Sequence, residues 1–272
     1  MAKRNIEELI NSLKENKDAI IIVGNQSTKE IITTEDGTEQ KINMFFEPTK
    51  DTFEIFSRKT MVKEPKKFWE FYNNEILKNK IHYIPETYKK IVQLTGTNLI
   101  KTVIDFNCDG ILMNLNHIEY IPIKGNRNIL QCVKCKEFID IDYINLDTEE
   151  ALIHKNCGNT ECKGKLRPTI PFFNDKYEQE YISKLFKSIF KYDENDNAIG
   201  LNTHNLILIG VDFTEDIIDE VIEGFNRFKR KDNAFSVFIT DNEDIYMNAY
   251  MADFGTTYNI TESIDKLCNL LY

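Results

Sequence analysis

Four cysteines are the residues of this chain whose types and spacing most directly indicate chemistry. Cys132 and Cys135 are separated by two residues, Cys157 and Cys162 by four, and the two pairs by 21. Four thiolates at such spacings satisfy tetrahedral zinc and leave no position open for a catalytic water. The pattern therefore predicts a structural zinc site, with His154 as a weaker candidate ligand and four unconnected thiols as the alternative.

The composition indicates a protein with a full-sized hydrophobic core and an acidic surface. Of 272 residues, 42% are apolar, and 34 basic residues against 44 acidic ones give a formal charge of −10. An acidic chain repels a phosphate backbone, so we expect no nucleic-acid partner. No apolar run reaches the roughly 18 residues of a bilayer span, and the first residues do not resemble a signal peptide. We therefore expect no membrane partner and a cytoplasmic location.

Hydrophobic patterns elsewhere in the chain alternate between helices and short buried strands. Apolar residues at helical spacing predict a helix over residues 6–13, and the branched run Ala19–Val23 predicts a buried strand that ends before Gly24. Residues 25–63 have no pattern that assigns them. This alternation predicts an α/β fold built on a Rossmann-like, doubly wound parallel sheet. Further strands are predicted at 99–106, 205–209 and 235–239, and further helices at 65–77, 85–94, 177–190, 216–228 and 262–271.

The cysteine pairs interrupt this alternation and so indicate an inserted module. We predict a discontinuous large domain that consists of residues 1–122 and 172–272, with residues 123–171 forming a zinc-ribbon module between its two parts. Part of the segment 30–80, with its dense aromatic residues, is a candidate helical module of the smaller lobe.

Several segments resemble, in the same order along the chain, the motifs of the sirtuin family. Gly164–Pro168 follows the second cysteine pair as G-x-L-R-P does in sirtuins, and Pro65–Tyr72 looks like their D-P-x-x-F-W-x-F-Y helix. Asn107–Gly110 is similar to Q-N-x-D-G. Ile22–Ser27 stands where sirtuins carry a T-G-A-G-x-S loop, and Ile209–Asp212 stands at their later G-T-S turn. The resemblance covers nearly the whole chain.

The resemblance implies NAD as the cofactor and a reaction at its nicotinamide ribose. The activities it implies are protein-lysine deacylation, ADP-ribosyl transfer or NAD hydrolysis, with an acylated or ADP-ribosylated protein as the partner. Asn107 and Asp109 would frame the nicotinamide ribose and the carboxamide. The residues implied at the cofactor are Gly24, Asn25, Gln26, Ser27, Asn107, Asp109, Gly210, Val211, Asp212 and Thr240, and those implied at the substrate are Ile170, Phe172 and Phe173.

Lys124 stands where the resemblance implies the general base. Sirtuins carry a His-Gly pair eight residues before the first zinc cysteine, and this chain has Lys124 and Gly125 at that spacing. A general base that acts on a ribose hydroxyl needs a pKa near neutrality, whereas the pKa of lysine is about 10.4. The resemblance implies Lys124, Asn107 and Asp109 as the catalytic residues. We expect deacylation to be impaired, because lysine is a poor general base at neutral pH.

Three further departures from the family's pattern concern the cofactor. Gln26 replaces the second glycine of the phosphate loop, which places a side chain where the diphosphate passes. Phe106 replaces a glutamine, and Asp212 brings an acid toward a dianionic cofactor. These departures leave an alternative open, which is a non-catalytic sirtuin-fold binding module (a pseudoenzyme) held together by structural zinc.

Overall fold

The computed structural model of the chain describes eleven segments that contain most of the predicted elements. They are residues 6–33, 39–43, 52–77, 84–115, 118–141, 157, 161–162, 164–172, 175–211, 216–244 and 255–271. His154, Phe173, Asp212 and the side chain of Gln26 lie outside the described residues. Each helix within the described segments is too short or too polar to span a membrane.

Helices and strands alternate along most of the described chain. The helices are α1 (Ile6–Asn16), α2 (Arg58–Lys63), α3 (Pro65–Phe71), α4 (Glu86–Thr95), α5 (Gln179–Ile189), α6 (Asp216–Phe228) and α7 (Ile260–Leu271). The strands are β1 (Ala19–Val23), β2 (Lys29–Thr33), β3 (Glu39–Asn43), β4 (Ile100–Asp105), β5 (Glu119–Pro122), β6 (Ile129–Cys132), β7 (Phe138–Asp140), β8 (Leu166–Pro168), β9 (Phe190–Tyr192), β10 (Ala198–Leu201), β11 (Asn205–Ile209), β12 (Phe235–Thr240) and β13 (Gly255–Tyr258).

A six-stranded parallel sheet forms the centre of the large domain. Its strands lie in the order β13-β12-β11-β1-β4-β5, and every neighbouring pair is parallel. The chain adds strands in one direction from β1 to β5 and in the other direction from β11 to β13. This reversal between β1 and β11 is the doubly wound topology, and it confirms the predicted fold class.

Two apolar layers explain why the central strands are buried on both faces. Ile21 and Val23 of β1 face a layer with α1, α4 and α7, whereas Ile20 and Ile22 face a layer with α5 and α6. Alternate residues of a strand point to opposite faces, so a strand covered on both sides must be apolar throughout. The five buried residues of β1 meet this requirement.

Most of the predicted elements are confirmed, and several regions differ from the sequence-based expectation. The predicted helix 65–77 is α-helical only to Phe71 and continues as a π-helix over Tyr72–Leu77, and the edge strands β5 and β13 had no prediction. The predicted helix 177–190 ends at Ile189, because Phe190 begins the β9–β10 hairpin. Residues 25–63, which carried no assignable pattern, contain the antiparallel β2–β3 hairpin and the short helix α2. Short strands with many polar residues in their sequences lack the apolar alternation that reveals a strand in sequence.

A third apolar cluster joins the aromatic residues around α3 to the cysteine module. Phe56 stacks on Phe68 with ring centroids 5.7 Å apart, and Phe172 meets Phe56 edge-on at 5.1 Å. Cys132 and Cys157 belong to the same cluster. The module itself contains the three-stranded antiparallel sheet β7-β6-β8. The exact domain boundaries given above stay a prediction.

Asp18 ties together three loops at the amino-terminal edge of the large sheet. Its side chain is 7% exposed and accepts hydrogen bonds from the backbone N–H and Nδ1 of His204, both at 2.8 Å. Lys101 Nζ lies 3.4 Å from the same carboxylate, and Asn205 Nδ2 donates to the Asp18 carbonyl oxygen at 2.7 Å. A single carboxylate therefore fixes the starts of β1 and β11 against β4.

We expect Asp18→Ala to lower the free energy of unfolding by about 1–3 kcal/mol, because it removes the acceptor for two donors of His204. Urea denaturation monitored by circular dichroism measures the change. Asp193→Ala is the matched control, since the Asp193 carboxylate accepts its hydrogen bonds from Asn195 and Asn197, which lie in the same exposed loop. Equal losses in the two variants would contradict the role assigned to Asp18.

Candidate active site and zinc centre

The turns that follow β1, β4 and β11 meet at the carboxyl edge of the sheet. The Gly24 N–H donates to the Ile209 carbonyl oxygen at 2.9 Å, and Asn107 Nδ2 donates to the Gly24 carbonyl oxygen at 3.2 Å. A Cβ atom on Gly24 would lie 2.4 Å from the Gly210 oxygen, so only glycine permits this approach. The structure thus brings Gly24, Asn107 and Gly210 together at the switch point of the sheet, where doubly wound proteins bind ligands.

Other predicted cofactor residues lie at the same edge with their hydroxyl groups already hydrogen-bonded. A short 3-10 turn follows β1, and in it Ser27 Oγ donates to the Gly24 carbonyl oxygen at 2.6 Å. Thr240 is fully buried, and its Oγ1 accepts from the Asn242 N–H at 3.0 Å. Val211 is buried in the apolar layer of α5 and α6, and Asn25 is half-buried. The cofactor-binding role of these residues stays a prediction.

The carboxamide of Asn107 has a defined orientation. Nδ2 donates to the Gly24 carbonyl oxygen and, at 2.8 Å, to the hydroxyl of Tyr88. A carbonyl oxygen can only accept, so the carboxamide atom that faces Gly24 must be the NH2 group. Oδ1 of Asn107 is therefore the side-chain atom left to accept a hydrogen bond from a ligand.

A group of ionisable residues, which we term the buried acid cluster, lies beneath Asn107. It consists of Tyr88, Asp105, Asp109, Tyr120 and Arg127, which are all buried except the half-buried Tyr120. Tyr88 donates to Asp109 Oδ2 at 2.8 Å, and Tyr120 donates to Asp105 Oδ2 at 2.9 Å. Asp105 Oδ1 also accepts from the Asn107 backbone N–H at 2.8 Å. Both carboxyl groups thus connect to Asn107.

Burial dominates the protonation of this cluster. Burial and the charge of Asp109 raise the pKa of Asp105 well above its ordinary value. Burial also raises the pKa of Asp109, although hydrogen bonds from Ile111 and Tyr88 and the Arg127 guanidinium oppose the rise. The pKa of Tyr88 is raised well above its ordinary value by burial and by the nearby carboxylates, so it stays a neutral donor.

Sequence analysis did not single out Tyr88, Asp105, Tyr120 or Arg127. Tyr88 occupies an apolar position of an amphipathic helix, where periodicity assigns it to the core. Asp105 gave the stronger signal, because a carboxyl group that directly follows the apolar residues Val103 and Ile104 at the end of a strand requires partners when it is buried.

Lys124 lies at the same edge of the sheet, just after β5. The Ile123 N–H donates to the Asp105 carbonyl oxygen at 2.8 Å, which joins the end of β5 to the turn that carries Asn107. Gly125 then turns the chain with φ +70°, and a Cβ atom there would lie 2.3 Å from the Thr169 carbonyl oxygen. Lys124 is half-buried. Its role at the position of the general base stays a prediction.

The side chain of Phe106 turns away from the polar edge. It is 3% exposed and packs edge-on against Tyr177 with ring centroids 6.5 Å apart. Phe106 therefore adds apolar surface to the layer of α5 and α6 and supplies no hydrogen bond in place of the family's glutamine.

Two of the three residues predicted at the substrate are buried in the third apolar cluster. Ile170 is 1% exposed and Phe172 is 5% exposed, and Phe172 also packs against Phe68 with ring centroids 5.9 Å apart. In this arrangement they support the segment between the zinc module and the large domain. Their contact with a substrate stays a prediction.

The four paired cysteines converge on one point. Their sulfur atoms all lie within 4.8 Å of one another, with 3.7 Å between Cys132 and Cys162 and 3.4 Å between Cys135 and Cys157. Tetrahedral zinc with Zn–S bonds of about 2.3 Å places its sulfur ligands about 3.8 Å apart. The spacing and the all-thiol donor set therefore fit a structural zinc ion.

The backbone around Cys132 favours a thiolate. Burial raises the pKa of Cys132, but hydrogen bonds from the N–H groups of Cys135 and Lys134 outweigh it and lower the pKa to about 6. Backbone donors that face the sulfur are what a metal-bound thiolate requires. Gly164 permits the close packing of this knuckle, since a Cβ atom there would lie 2.4 Å from Cys132 Sγ.

Comparison with known proteins agrees with this fold. The Sir2 family model matches residues 38–203, which is more than half of the chain. This chain is therefore a member of the Sir2 (sirtuin) family, as the motifs predicted. An "NAD-dependent protein deacylase" of Pyrococcus abyssi is 28% identical over 197 residues, which cover 69% of this chain and 73% of that protein.

A second relative and two solved structures extend the comparison. An "NAD-dependent protein deacetylase" of Sulfurisphaera tokodaii is 28% identical over 136 residues, and these cover 48% of this chain and 49% of that relative. The chain thus spans about half the length of this relative. "Structure of Sir2Tm bound to a propionylated peptide" has a TM-score of 0.65 at 16% identity and covers 98% of both chains. "Sir2-p53 peptide-NAD+" has a TM-score of 0.63 at 17% identity, again over 98% of both. These structural similarities show the fold.

Metal analysis should find one zinc ion per chain in the unmodified protein. Cys132→Ser should lose the zinc and lower the unfolding temperature, because a hydroxyl is a poor zinc ligand and the site stabilises the third apolar cluster. Cys268→Ser is the matched control, since Cys268 is also buried but belongs to the layer of α7. A folded protein without metal would contradict the zinc assignment.

The protonation of Asp105 should make stability depend on pH. A raised pKa means that the folded state holds the proton more tightly, so this stabilisation is present below about pH 4 and is lost as pH rises toward the folded-state pKa. Asp105→Asn keeps an acceptor for the Asn107 N–H and removes the ionisation. The unfolding free energy of the unmodified protein should therefore fall with pH more steeply than that of the variant, by up to about 1.4 kcal/mol per pH unit.

Denaturation in urea at a series of pH values from acidic to weakly alkaline measures this difference. Asp244→Asn serves as the exposed control and should keep the slope of the unmodified protein. Parallel pH profiles for the unmodified protein and Asp105→Asn would show that Asp105 ionises as freely in the folded state as in the unfolded chain.

Proposed function

We propose that this chain binds NAD at the carboxyl edge of the sheet and acts at the nicotinamide ribose, with protein-lysine deacylation limited by Lys124. The observation that carries the proposal is the convergence of Gly24, Asn107 and Gly210 at the switch point. The relatives from Pyrococcus abyssi and Sulfurisphaera tokodaii are named as an NAD-dependent deacylase and deacetylase, which supports the same cofactor and the same class of substrate for this chain.

The residues at this edge fit the nicotinamide-ribose end of NAD. When bound, NAD supplies an electrophilic ribose carbon whose bond to nicotinamide can be broken. Oδ1 of Asn107 is suited to accept from a ribose hydroxyl or a carboxamide NH2 group. Asp109 is 1% exposed and holds hydrogen bonds from Tyr88 and Ile111, so we assign it to support Asn107 rather than to touch the ligand.

The residue at position 124 matters differently for the two halves of the proposed reaction. Breaking the bond to nicotinamide builds positive charge on the ribose carbon, and stabilising that charge needs no general base. Later steps of deacylation require proton removal from a ribose hydroxyl, and the ordinary pKa of lysine, about 10.4, is too high for an efficient general base at neutral pH. The partner we propose is a protein that carries an acyl-lysine. If a protein side chain attacks the ribose carbon instead of the acyl oxygen, nicotinamide leaves and the product is an ADP-ribosylated protein.

The second candidate is a binding module without turnover. The apolar burial of Phe106 favours it, because this position offers no hydrogen bond to a polar cofactor. The substitution at Lys124 favours it as well. The two candidates differ in whether NAD binds and whether nicotinamide is released.

Calorimetric titration with NAD tests the proposal on folded, zinc-loaded protein. The unmodified chain should bind NAD, and Asn107→Ala should weaken binding about 10-fold, which corresponds to the loss of one buried hydrogen bond. Asn202→Ala is the matched control, because Asn202 donates only to backbone carbonyls near α5. Absence of binding at millimolar NAD would overturn the proposal and leave the binding module.

Substitution of Lys124 tests the limit on deacylation. With an acyl-lysine peptide and NAD, the unmodified protein should release nicotinamide faster than it removes the acyl group. Lys124→His should raise acyl removal relative to nicotinamide release, because an imidazole accepts a proton at neutral pH. Lys124→Ala should weaken NAD binding by about 1 kcal/mol through loss of one screened cation. Rapid deacylation by the unmodified protein would contradict this role of Lys124.

A further inference from the structure

Tyr88 connects helix α4 to the candidate active site through its hydroxyl group. The side chain is fully buried, and its ring packs with Ile91 and Leu94 in the layer beneath the sheet. The hydroxyl accepts from Asn107 Nδ2 at 2.8 Å and donates to Asp109 Oδ2 at 2.8 Å. A core tyrosine that served only to pack would not need both of these polar partners.

We propose that Tyr88 is a positioning residue whose hydroxyl group, oriented by Asp109, holds the Asn107 carboxamide with its NH2 group inward and Oδ1 available to the ligand. This inference rests on the proposed function for its effect on NAD. The orientation of the Asn107 carboxamide itself does not depend on that function.

The direction of the hydrogen bonds follows from the donors that each group has. A tyrosine hydroxyl carries one hydrogen, and the Asp109 carboxylate takes it. The lone pairs of the hydroxyl then face Asn107, where they can accept only from Nδ2. Asp109 Oδ1 accepts from the Ile111 N–H at 2.7 Å, and Oδ2 accepts the hydroxyl hydrogen of Tyr88. The hydrogen bonds therefore run in one direction, from Asn107 Nδ2 to the Tyr88 hydroxyl and from that hydroxyl to Asp109.

The Gly24 carbonyl oxygen reinforces the same orientation from the other side. It also accepts from Asn107 Nδ2, so both hydrogens of the NH2 group are directed into the protein. A reversed carboxamide would place Oδ1 against the Gly24 oxygen and against the lone pairs of the Tyr88 hydroxyl. An acceptor would then face an acceptor at both contacts, and both hydrogen bonds of Nδ2 would be lost.

The variant that tests this inference is Tyr88→Phe, which removes the hydroxyl and keeps the buried ring. NAD affinity should fall about 5- to 10-fold, because the carboxamide loses one of the two groups that orient it. Tyr181→Phe is the control, since Tyr181 packs against the layer of α5 and α6, on the opposite face of the sheet from Tyr88. This control should change NAD affinity less than about twofold.

A double-mutant cycle separates positioning from a general effect on the fold. If Tyr88 acts through Asn107, Tyr88→Phe should have no further effect on NAD affinity in a chain that already carries Asn107→Ala. Additive losses would show that Tyr88 affects binding by another route and would overturn the inference.

Nuclear magnetic resonance of asparagine-labelled protein gives a readout that does not need NAD. The Asn107 NH2 signals are identified by their loss in Asn107→Ala. In the unmodified protein they should show close contacts with the Tyr88 ring protons and slow exchange with water, and in Tyr88→Phe they should shift and exchange faster. Missing contacts in the unmodified protein would overturn the inference even if Tyr88→Phe failed to fold.

The outcomes for the two proposals are distinguishable. If the unmodified chain does not bind NAD but its Asn107 signals behave as expected, the proposed function fails and the positioning role stands. If NAD binds and Tyr88→Phe leaves both the affinity and the Asn107 signals unchanged, the positioning role fails and the proposed function stands.

Discussion

The close approach of the turns after β1 and β11 is the constraint on which the candidate site depends. Gly24 lies so near the Gly210 carbonyl that a single added carbon atom would collide with it. This contact fixes the position of the Gly24 carbonyl oxygen, which accepts a hydrogen bond from Asn107 Nδ2. Backbone geometry at the switch point therefore fixes a side chain that comes from a third strand.

Charge balance beneath Asn107 is the second organising feature. Two carboxyl groups and one guanidinium are buried together, and the arrangement is tolerable because each carboxylate oxygen has a donor and Asp105 retains its proton readily. The region that holds Asn107 is thus polar and desolvated at once. Such surroundings strengthen hydrogen bonds and make the orientation of each group specific.

Sequence reasoning predicted those parts of the fold that follow from local rules. The branched run of β1, the helical periodicity of α6 and the paired cysteines each carry their signal within a few residues. The buried acid cluster could not be found this way, because Tyr88, Asp105 and Tyr120 are brought together only by the packing of α4 and β5 against β4. The motif around Asn107 predicted the position of the candidate site, but the groups that orient Asn107 come together only in the tertiary structure.

The third apolar cluster connects the cysteine module to the turn that carries Asn107. Cys132 packs in the same cluster as Tyr72, and the Tyr72 hydroxyl bonds the carbonyl of Arg127. The Arg127 N–H in turn bonds the carbonyl of Cys108, which lies between Asn107 and Asp109 in the chain. A substitution in the third apolar cluster can therefore shift the turn that carries Asn107 without altering any residue of that turn.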